Sequence, residues 1–512
     1  MTEQGEFFRG EPPSFAPPDA RSDRIGVIDV GSNSVRMVVY DGPCRSPQVL
    51  FNEKVMAGLG AELAQTGRLS PDGARRALRA LTRFAALAPQ LRVGALAGIA
   101  TAAVRDALDG RAFVAAAEAE TGIRLRVVSG AEEAELAAKG VLFGNPSAEG
   151  VAVDLGGGSL EFCRVAEGRP EAGLTTPLGP LRLAARVARG ADLDQEIRGY
   201  LATMAEGYRL NGGTLYLVGG AFRAIARAEM HRKDYPLKVL HEYRLTADQA
   251  RALALWVGRQ KPERLAEIPG VGASRAIHMP ITARILDALA DLLAPGLLQV
   301  SGFGLREGVC LDNLAAGLRD EDALLAGARE QERRRARAAG FGDELGDWLM
   351  TALPPQNPDE GRLMRAAALL ADVNWRTHPD YRDRACWETV TRINLTDLGH
   401  EGRVFIALAL VGRYRGGKRS PETSEAVALL SKERQQRAHE LGLALRLGSV
   451  IAGSGTGVLA YSALAREENR LALTLRGPAQ PFDGEEVRKR LAALAKAQGL
   501  TPELVGGDDR LG

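Results

Sequence analysis

Two short segments carry residues whose types and spacing suit phosphate chemistry. The first reads Asp29-x-Gly31-x-x-Ser34-x-Arg36, the second Asp154-x-Gly156-x-x-Ser159-x-Glu161, about 125 residues later. In each, glycine and serine interrupt two apolar runs rich in β-branched residues, which is hairpin chemistry. A glycine-rich turn lets several backbone N–H groups point at one anion, and such a nest binds phosphate. Ser32, Asn33 and Ser34 add side-chain donors to the first turn. Gly156, Gly157, Gly158 and Ser159 form the second. An aspartate at the end of the leading strand, Asp29 or Asp154, can hold a divalent ion or its water shell beside the phosphate. One such turn is common. Two in register, with chemically different ends at Arg36 and Glu161, are much more specific and could clamp a phosphate chain from both sides.

Hydrolysis of a phosphoanhydride also needs a group that takes or orients the proton of water, and cations for the charge that develops on phosphate. Glu132, Glu133 and Glu135 follow Ser129-Gly130-Ala131 at a predicted helix start. Acids are favoured there by the helix dipole alone, so spacing leaves them as either capping or catalytic groups. Asp154 and Glu161 flank a turn and lack that explanation. Arg36 and Arg105 are candidate phosphate clamps, although Arg105 fits equally a surface charge near a helix start. His278, one of six histidines without metal-like spacing, reads as a packing residue before Pro280.

The elements that must position these residues alternate between strand and helix. Two strands surround the first turn. A helix from Ser70 to Leu87 opens on a Ser-Pro-Asp cap, and a strand leads into ATAAVRDA. Gly110 to Thr121 is helical, IRLRVVSG extended, and GAEEAELAAKGVLFG helical. The hairpin pattern then recurs in GVAVDLGGGSLEFCRVAEG, followed by the strand–turn–helix segments GTLYLVGGAFRAIARAEM and LLQVSGFGLREGVCLDNL. A repeated hairpin in this setting predicts two related α/β lobes, residues 24–150 and 151–318 including a return helix. Residues 319–512 read as a mainly helical extension. Its segment from Asp320 to Ala339 is a charged connecting helix, and helices cover Asp343 to Leu410. A loop at Arg415 to Pro421 precedes a long helix from Glu425 to Ile451. A hairpin in VLAYSALA and RLALTLRG, a helix from Gly484 to Gln498 and a polar tail complete it. Arg329, Arg333, Arg334, Arg335 and Arg337 could form a stripe along the connecting helix for a polyanion, or simply a solvated face.

Composition sets the limits. The 512 residues suggest about three or four structural units. The net charge of +2 gives no global basic field for nucleic acid, so a polyanion would need a local basic groove. Cys44, Cys163, Cys310 and Cys386 are far apart with no CxxC, which predicts buried reduced thiols. Residues 1–23 read as a disordered tail without the apolar core of a signal peptide. The apolar stretches are too short for a membrane span. A cytoplasmic enzyme is expected.

The motifs IGVIDVGSNSVRMVVYD, ATAAVRDA, VVSGAEEAELAAKGV, AVDLGGGSLEF, YLVGGAFRAIA and VSGFGLREGV, in this order, resemble the exopolyphosphatase and guanosine pentaphosphate phosphatase family over roughly Arg24 to Leu314. The resemblance implies an actin and sugar-kinase superfamily fold, two ribonuclease-H-like lobes with a cleft between them. It implies that Glu133 is the catalytic base that activates water. It implies that Asp154 and Glu161 are the acids near a divalent metal, Mg2+ (or Mn2+), and the attacking water. Asp29, Ser32, Asn33, Ser34 and Arg36 would form the first phosphate loop, Gly156 to Ser159 the second, and Arg105 a phosphate ligand in T-x-x-x-R. The extension resembles HD phosphohydrolases, but Ala371-Asp372 stands where a His-Asp pair would hold metal, so no second metal site is expected. Phe222 and Arg223 are bulkier than the family's small residues and would disfavour a nucleoside.

These implications favour removal of the terminal phosphate of inorganic polyphosphate. Guanosine pentaphosphate is the alternative substrate, a kinase a weaker rival, and a non-catalytic phosphate sensor the remote one. No nucleic-acid partner is expected. A homodimer is.

Overall fold

The computed structural model describes residues 23–415 and 425–505. Nearly all of the expected disordered tail and of the 415–421 loop lies outside the described residues. Contacts divide the chain into two compact units. One takes the chain up to Glu229 together with Arg244–Arg319; the other takes Met230–Tyr243 and the chain from Asp320.

The first unit is α/β, built from two sheets of one plan. Strands β1 (Arg24–Val30), β2 (Ser34–Tyr40), β3 (Val49–Met56), β4 (Val93–Ala100) and β5 (Leu125–Val127) lie in the order β3-β2-β1-β4-β5. The second sheet has β6 (Gly150–Leu155), β7 (Leu160–Ala166), β8 (Arg169–Pro170), β9 (Leu174–Thr176), β10 (Thr214–Val218), β11 (Arg244–Leu245) and β12 (Leu297–Val300). Its order is β8-β7-β6-β10-β12-β11, with β9 also paired to β7. In both, an antiparallel hairpin supplies the first two strands and parallel strands follow on one side. Val27, Ile28, Val30, Val35, Val38 and Val39 are all buried, which suits β-branched residues in a sheet covered on both faces.

Helices cover these sheets by the expected physics. Ser70 accepts a hydrogen bond from the Gly73 amide and caps the Pro71–Gln90 helix, whose Ala77, Leu81 and Phe84 face the core. Gly130–Gly144 and Leu305–Asp312 pack closely: a Cβ on Gly140 would lie 2.1 Å from the Gly304 carbonyl oxygen, and one on Gly308 1.9 Å from that of Leu136. Glycine is what permits that approach. Buried Arg45 donates to the Leu142 and Phe143 carbonyls, satisfying acceptors at the C-terminal end of the Gly130–Gly144 helix.

The second unit is mainly helical, as expected, with helices from Ala323–Arg335 through Glu485–Ala497 around one apolar core. Three details differ from the sequence expectation. The helix expected over 425–451 is interrupted: 425–427 are helical, turns follow at 428–430, and the long helix begins at Lys432, because the Ser431 hydroxyl caps it through the Arg434 amide. The expected hairpin is β13 (Ser462–Glu467) and β14 (Arg470–Leu475), but the segment read as a polar tail adds a parallel strand, β15 (Thr501–Val505). The arginine stripe does not form. The connecting helix ends at Arg335, so Arg337 is not on it, and the arginines are already engaged. Arg329 meets Asp343 at 2.9 Å, Arg333 and Arg334 meet Glu330, Arg335 donates to Asn374, and Arg337 meets Asp372 at 2.6 Å. Asp372, 3% exposed, also pairs with Arg413.

Among the described residues, no helix is long and apolar enough to cross a membrane. All four cysteines are free, three of them buried.

Candidate active site

The two hairpins end in the same turn. Gly31 N–H donates to the Ser34 carbonyl at 3.0 Å, and Gly156 N–H to that of Ser159 at 3.1 Å. Across each antiparallel pair, Asp29 lies opposite Arg36 and Asp154 opposite Glu161. Directly opposed residues project from the same face of a sheet, so strand pairing alone places these groups side by side.

Both turns open into one cavity of about 440 Å³. It is lined by Asp29, Ser32, Asn33, Ser34 and Arg36 from the first hairpin, and by Asp154, Gly156, Gly157, Gly158 and Ser159 from the second. Glu133 reaches it from the first turn of its helix. The structure separates the acids that spacing left together. Glu132 closes a capping box with Ser129, while Glu133 is turned inward and only 9% exposed. Arg105 and Glu161 do not line the cavity; each stands behind a residue near it. Arg105 Nη1 donates to Glu133 Oε2 at 2.8 Å and holds that carboxylate in place. Glu161 is 1% exposed, and its Oε1 accepts from the Thr175 hydroxyl at 2.9 Å.

The cavity also holds cations from outside the two repeated turns: Lys54, Arg223, Arg275 and Arg306 join Arg36 on its wall. Arg306 Nη1 lies 3.7 Å from Asp29 Oδ2, and Arg223 donates to the Ser301 carbonyl. Arg223 and Arg306 each follow a strand and a Gly-rich turn, in VGGAFR and SGFGLR. That placement echoes Arg36 and was the available signal. Lys54 and Arg275 carried none, since each is a lone basic residue. Two expectations are corrected here. His278, expected to pack, lines the cavity, because its helix start faces inward. Phe222 does not obstruct the site: it is buried in the core, and only Arg223 of that pair reaches the cavity.

Burial governs the acids. Desolvation pushes Glu133 up to about 7 against the pull of Arg105, and Asp154 up to about 6 against Arg223. Glu161 is pushed well above the usual carboxylate range by burial first, then by the charges of Glu133 and Asp154. Asp29 is raised by burial, opposed by Arg306 and Arg36. Like charges held together out of water make a place where a cation is favoured. Gly219, at φ +99°, makes the close turn beside them; a Cβ there would lie 2.6 Å from Asp154 Oδ1.

Paired sheets of one plan, two glycine-rich turns facing one cavity, and acids among arginines define a two-lobed α/β protein. The chain belongs to the Ppx/GppA phosphatase family, whose profile matches residues 38–316. A second profile, described as the C-terminal part of exopolyphosphatase, matches residues 324–505. Exopolyphosphatase 1 of Mycobacterium tuberculosis is 28% identical over 306 residues, covering 57% of this chain and 88% of the relative. Exopolyphosphatase 2 of the same species is 33% identical over 174 residues, 32% of this chain and 54% of that relative. The crystal structure of an exopolyphosphatase from Cytophaga hutchinsonii shares the fold, with a TM-score of 0.52 and 24% identity over 57% of this chain and 99% of that one.

Proposed function

We propose that this protein is an exopolyphosphatase that hydrolyses the terminal phosphoanhydride of inorganic polyphosphate, releasing orthophosphate and a chain one unit shorter. The observation that carries the reading is the charge of the cavity. Arg36, Lys54, Arg223, Arg275 and Arg306 converge on a space bounded by two backbone nests, with Asp29, Asp154 and Glu133 as the acids on its wall. That surplus of cations suits a ligand with several negative charges in a row.

Each residue then has a task. The first nest, with Ser32, Asn33 and Ser34, and the second, Gly156 to Ser159, hold the oxygens of the terminal phosphate. Glu133 takes a proton from the attacking water; a base held near neutral pH is poised for that step. Arg105 orients Glu133 through its hydrogen bond. Arg36, Arg223 and Arg306 oppose the charge that grows on the phosphate and leaving chain.

A divalent cation fits this wall. Among the described residues no cluster of three or more His, Cys, Asp or Glu forms a protein cage. Mg2+ seldom uses one, being held by one or two carboxylates together with water and substrate phosphate. Asp154 would hold it, with Asp29 across the cavity and Glu161 behind Asp154 on the same sheet face. When bound, Mg2+ (or Mn2+) neutralises phosphate charge and so eases attack by water. A homodimer and a cytoplasmic setting complete the proposal, and sedimentation tests the dimer.

The test is a substrate panel on the full chain with Mg2+: long-chain polyphosphate, guanosine pentaphosphate and ATP. Orthophosphate release fastest from polyphosphate supports the reading. Preference for guanosine pentaphosphate replaces it with the nucleotide alternative, and tight binding without release makes the protein a sensor.

A further inference from the structure

We propose that Thr175 is a positioning residue of this reaction, fixing Glu161 from outside the cavity while it seats the first turn of the helix that carries Glu133. The inference rests on the tasks assigned above to Glu133 and Glu161. Strand β9 has only three residues and lies antiparallel on β7, with Thr175 directly opposite Glu161. The Thr175 hydroxyl donates to Glu161 Oε1 at 2.9 Å. Glu161 is 1% exposed beneath the exposed Thr175 side chain, so a side chain of the same shape without the hydroxyl leaves that oxygen without the donor and still shut off from water. The neighbouring Thr176 hydroxyl donates to the Leu160 carbonyl at 3.0 Å and keeps the short strand in register.

The other side of Thr175 meets the second acid's helix. A Cβ on Gly130 would lie 2.1 Å from Thr175 Cγ2 and 2.6 Å from its Cβ. The strand therefore sits directly on the first helical turn, three residues before Glu133. One side chain thus binds one acid through its hydroxyl and supports the helix of the other through its methyl. Thr175 lines a surface depression with Leu174, Tyr200 and Tyr208 and does not line the reaction cavity, so it touches no substrate. Serine or valine could each supply only half of this arrangement.

The test compares the wild type with Thr175→Val, which keeps the shape and loses the donor, and Thr175→Ser, which keeps the donor and loses the methyl. Initial rates on long-chain polyphosphate give kcat and KM, and melting curves report folding. The valine variant should lose kcat by roughly 10–100-fold, as for partners that orient site ligands, at nearly unchanged KM and with a modest fall in Tm, because the Glu161 oxygen loses its donor. The serine variant should recover most of that loss and keep a smaller one from the missing methyl. Wild-type kcat in the valine variant overturns the proposal. So does a loss confined to KM, or a serine variant as impaired as valine. If the valine variant does not fold, Thr175→Cys, close in size with only a weak donor, takes its place with the same criteria. A wild type that releases no phosphate overturns the exopolyphosphatase reading instead, so the two failures are told apart.

Discussion

At the residue scale, two carboxylates carry testable charge. The proposed base, Glu133, can take a proton only when ionised, and burial pushes it up to about 7. With wild type, kcat/KM should therefore rise with pH to a midpoint at or below about 7 and level off above it. A profile flat from acid to alkaline conditions would show that another group takes the proton. Asp154 titrates near 6 against an ordinary 3.8, so its charged form costs folding energy. A carboxyl raised in the folded state stabilises below the unfolded value and loses that contribution as pH climbs through the folded one. Asp154→Asn should thus gain stability relative to wild type between about pH 4 and 7, by roughly 2–3 kcal/mol. Melting in chelator at both ends of that window checks the sign; a gain that shrinks with rising pH contradicts it. The same variant should need roughly tenfold more Mg2+ for half activity, since one hard anionic ligand is gone. At this scale the sequence was informative where motifs repeat: the Asp-x-Gly turns fixed Asp29, Arg36, Asp154 and Glu161 by register alone. It was silent on Lys54 and Arg275, because a lone basic residue on a strand or short helix looks the same whether it faces solvent or substrate.

At the element scale, the proposed base, Glu133, is only as well placed as its helix. Gly130–Gly144 lies against Leu305–Asp312 at glycine contacts, and a Cβ on Gly308 would meet the Leu136 carbonyl oxygen at 1.9 Å. Gly308→Ala should cost about 1–3 kcal/mol by overpacking and lower kcat by shifting Glu133. Gly199, inside the Leu193–Tyr208 helix, has nothing within 4 Å of its added Cβ. Gly199→Ala should be neutral or stabilise by up to about 1 kcal/mol through helix propensity. Thermal melts of the pair test whether close packing, rather than glycine loss itself, sets the effect. Most elements were legible because caps and periodicity are local: Ser70, Ser129 and the Gly turns mark their boundaries. The start at Ser431 was missed because the residues before it, Ala426 to Leu430, are themselves mostly good helix formers and 425–427 are helical, so composition does not mark the break at 428–430. Strand β15 was missed because its stability comes from pairing with β14, a partner set by the tertiary fold.

At the scale of the whole molecule, the repeated hairpin predicted two sheets of one plan; the family profile covers the second and the first from within β2 onward. Assignment of Met230–Tyr243 to the second unit was not legible, since those residues continue the first unit's sequence and only packing shows where they belong. The arginine run illustrates the same limit. Its charge density suggested a polyanion path, but Asp343, Glu330 and Asp372 already occupy it. Arg337→Gln should therefore weaken the second unit by about 1.5–3 kcal/mol, the usual worth of hydrogen bonds to a charged group. It should leave KM for long chains unchanged. A raised, salt-sensitive KM with normal melting would restore the stripe.

The central claim is that the cavity removes terminal phosphates by water that Glu133 activates. Its most direct test follows chain length and orthophosphate together, on long polyphosphate with Mg2+, for wild type and Glu133→Gln. The account predicts orthophosphate from the first time point as the chains shorten from their ends. The variant should turn over on the order of 10²–10⁴-fold more slowly with substrate binding retained. Internal fragments in place of orthophosphate, or a variant that keeps more than about a tenth of wild-type kcat, well short of that range, would contradict it.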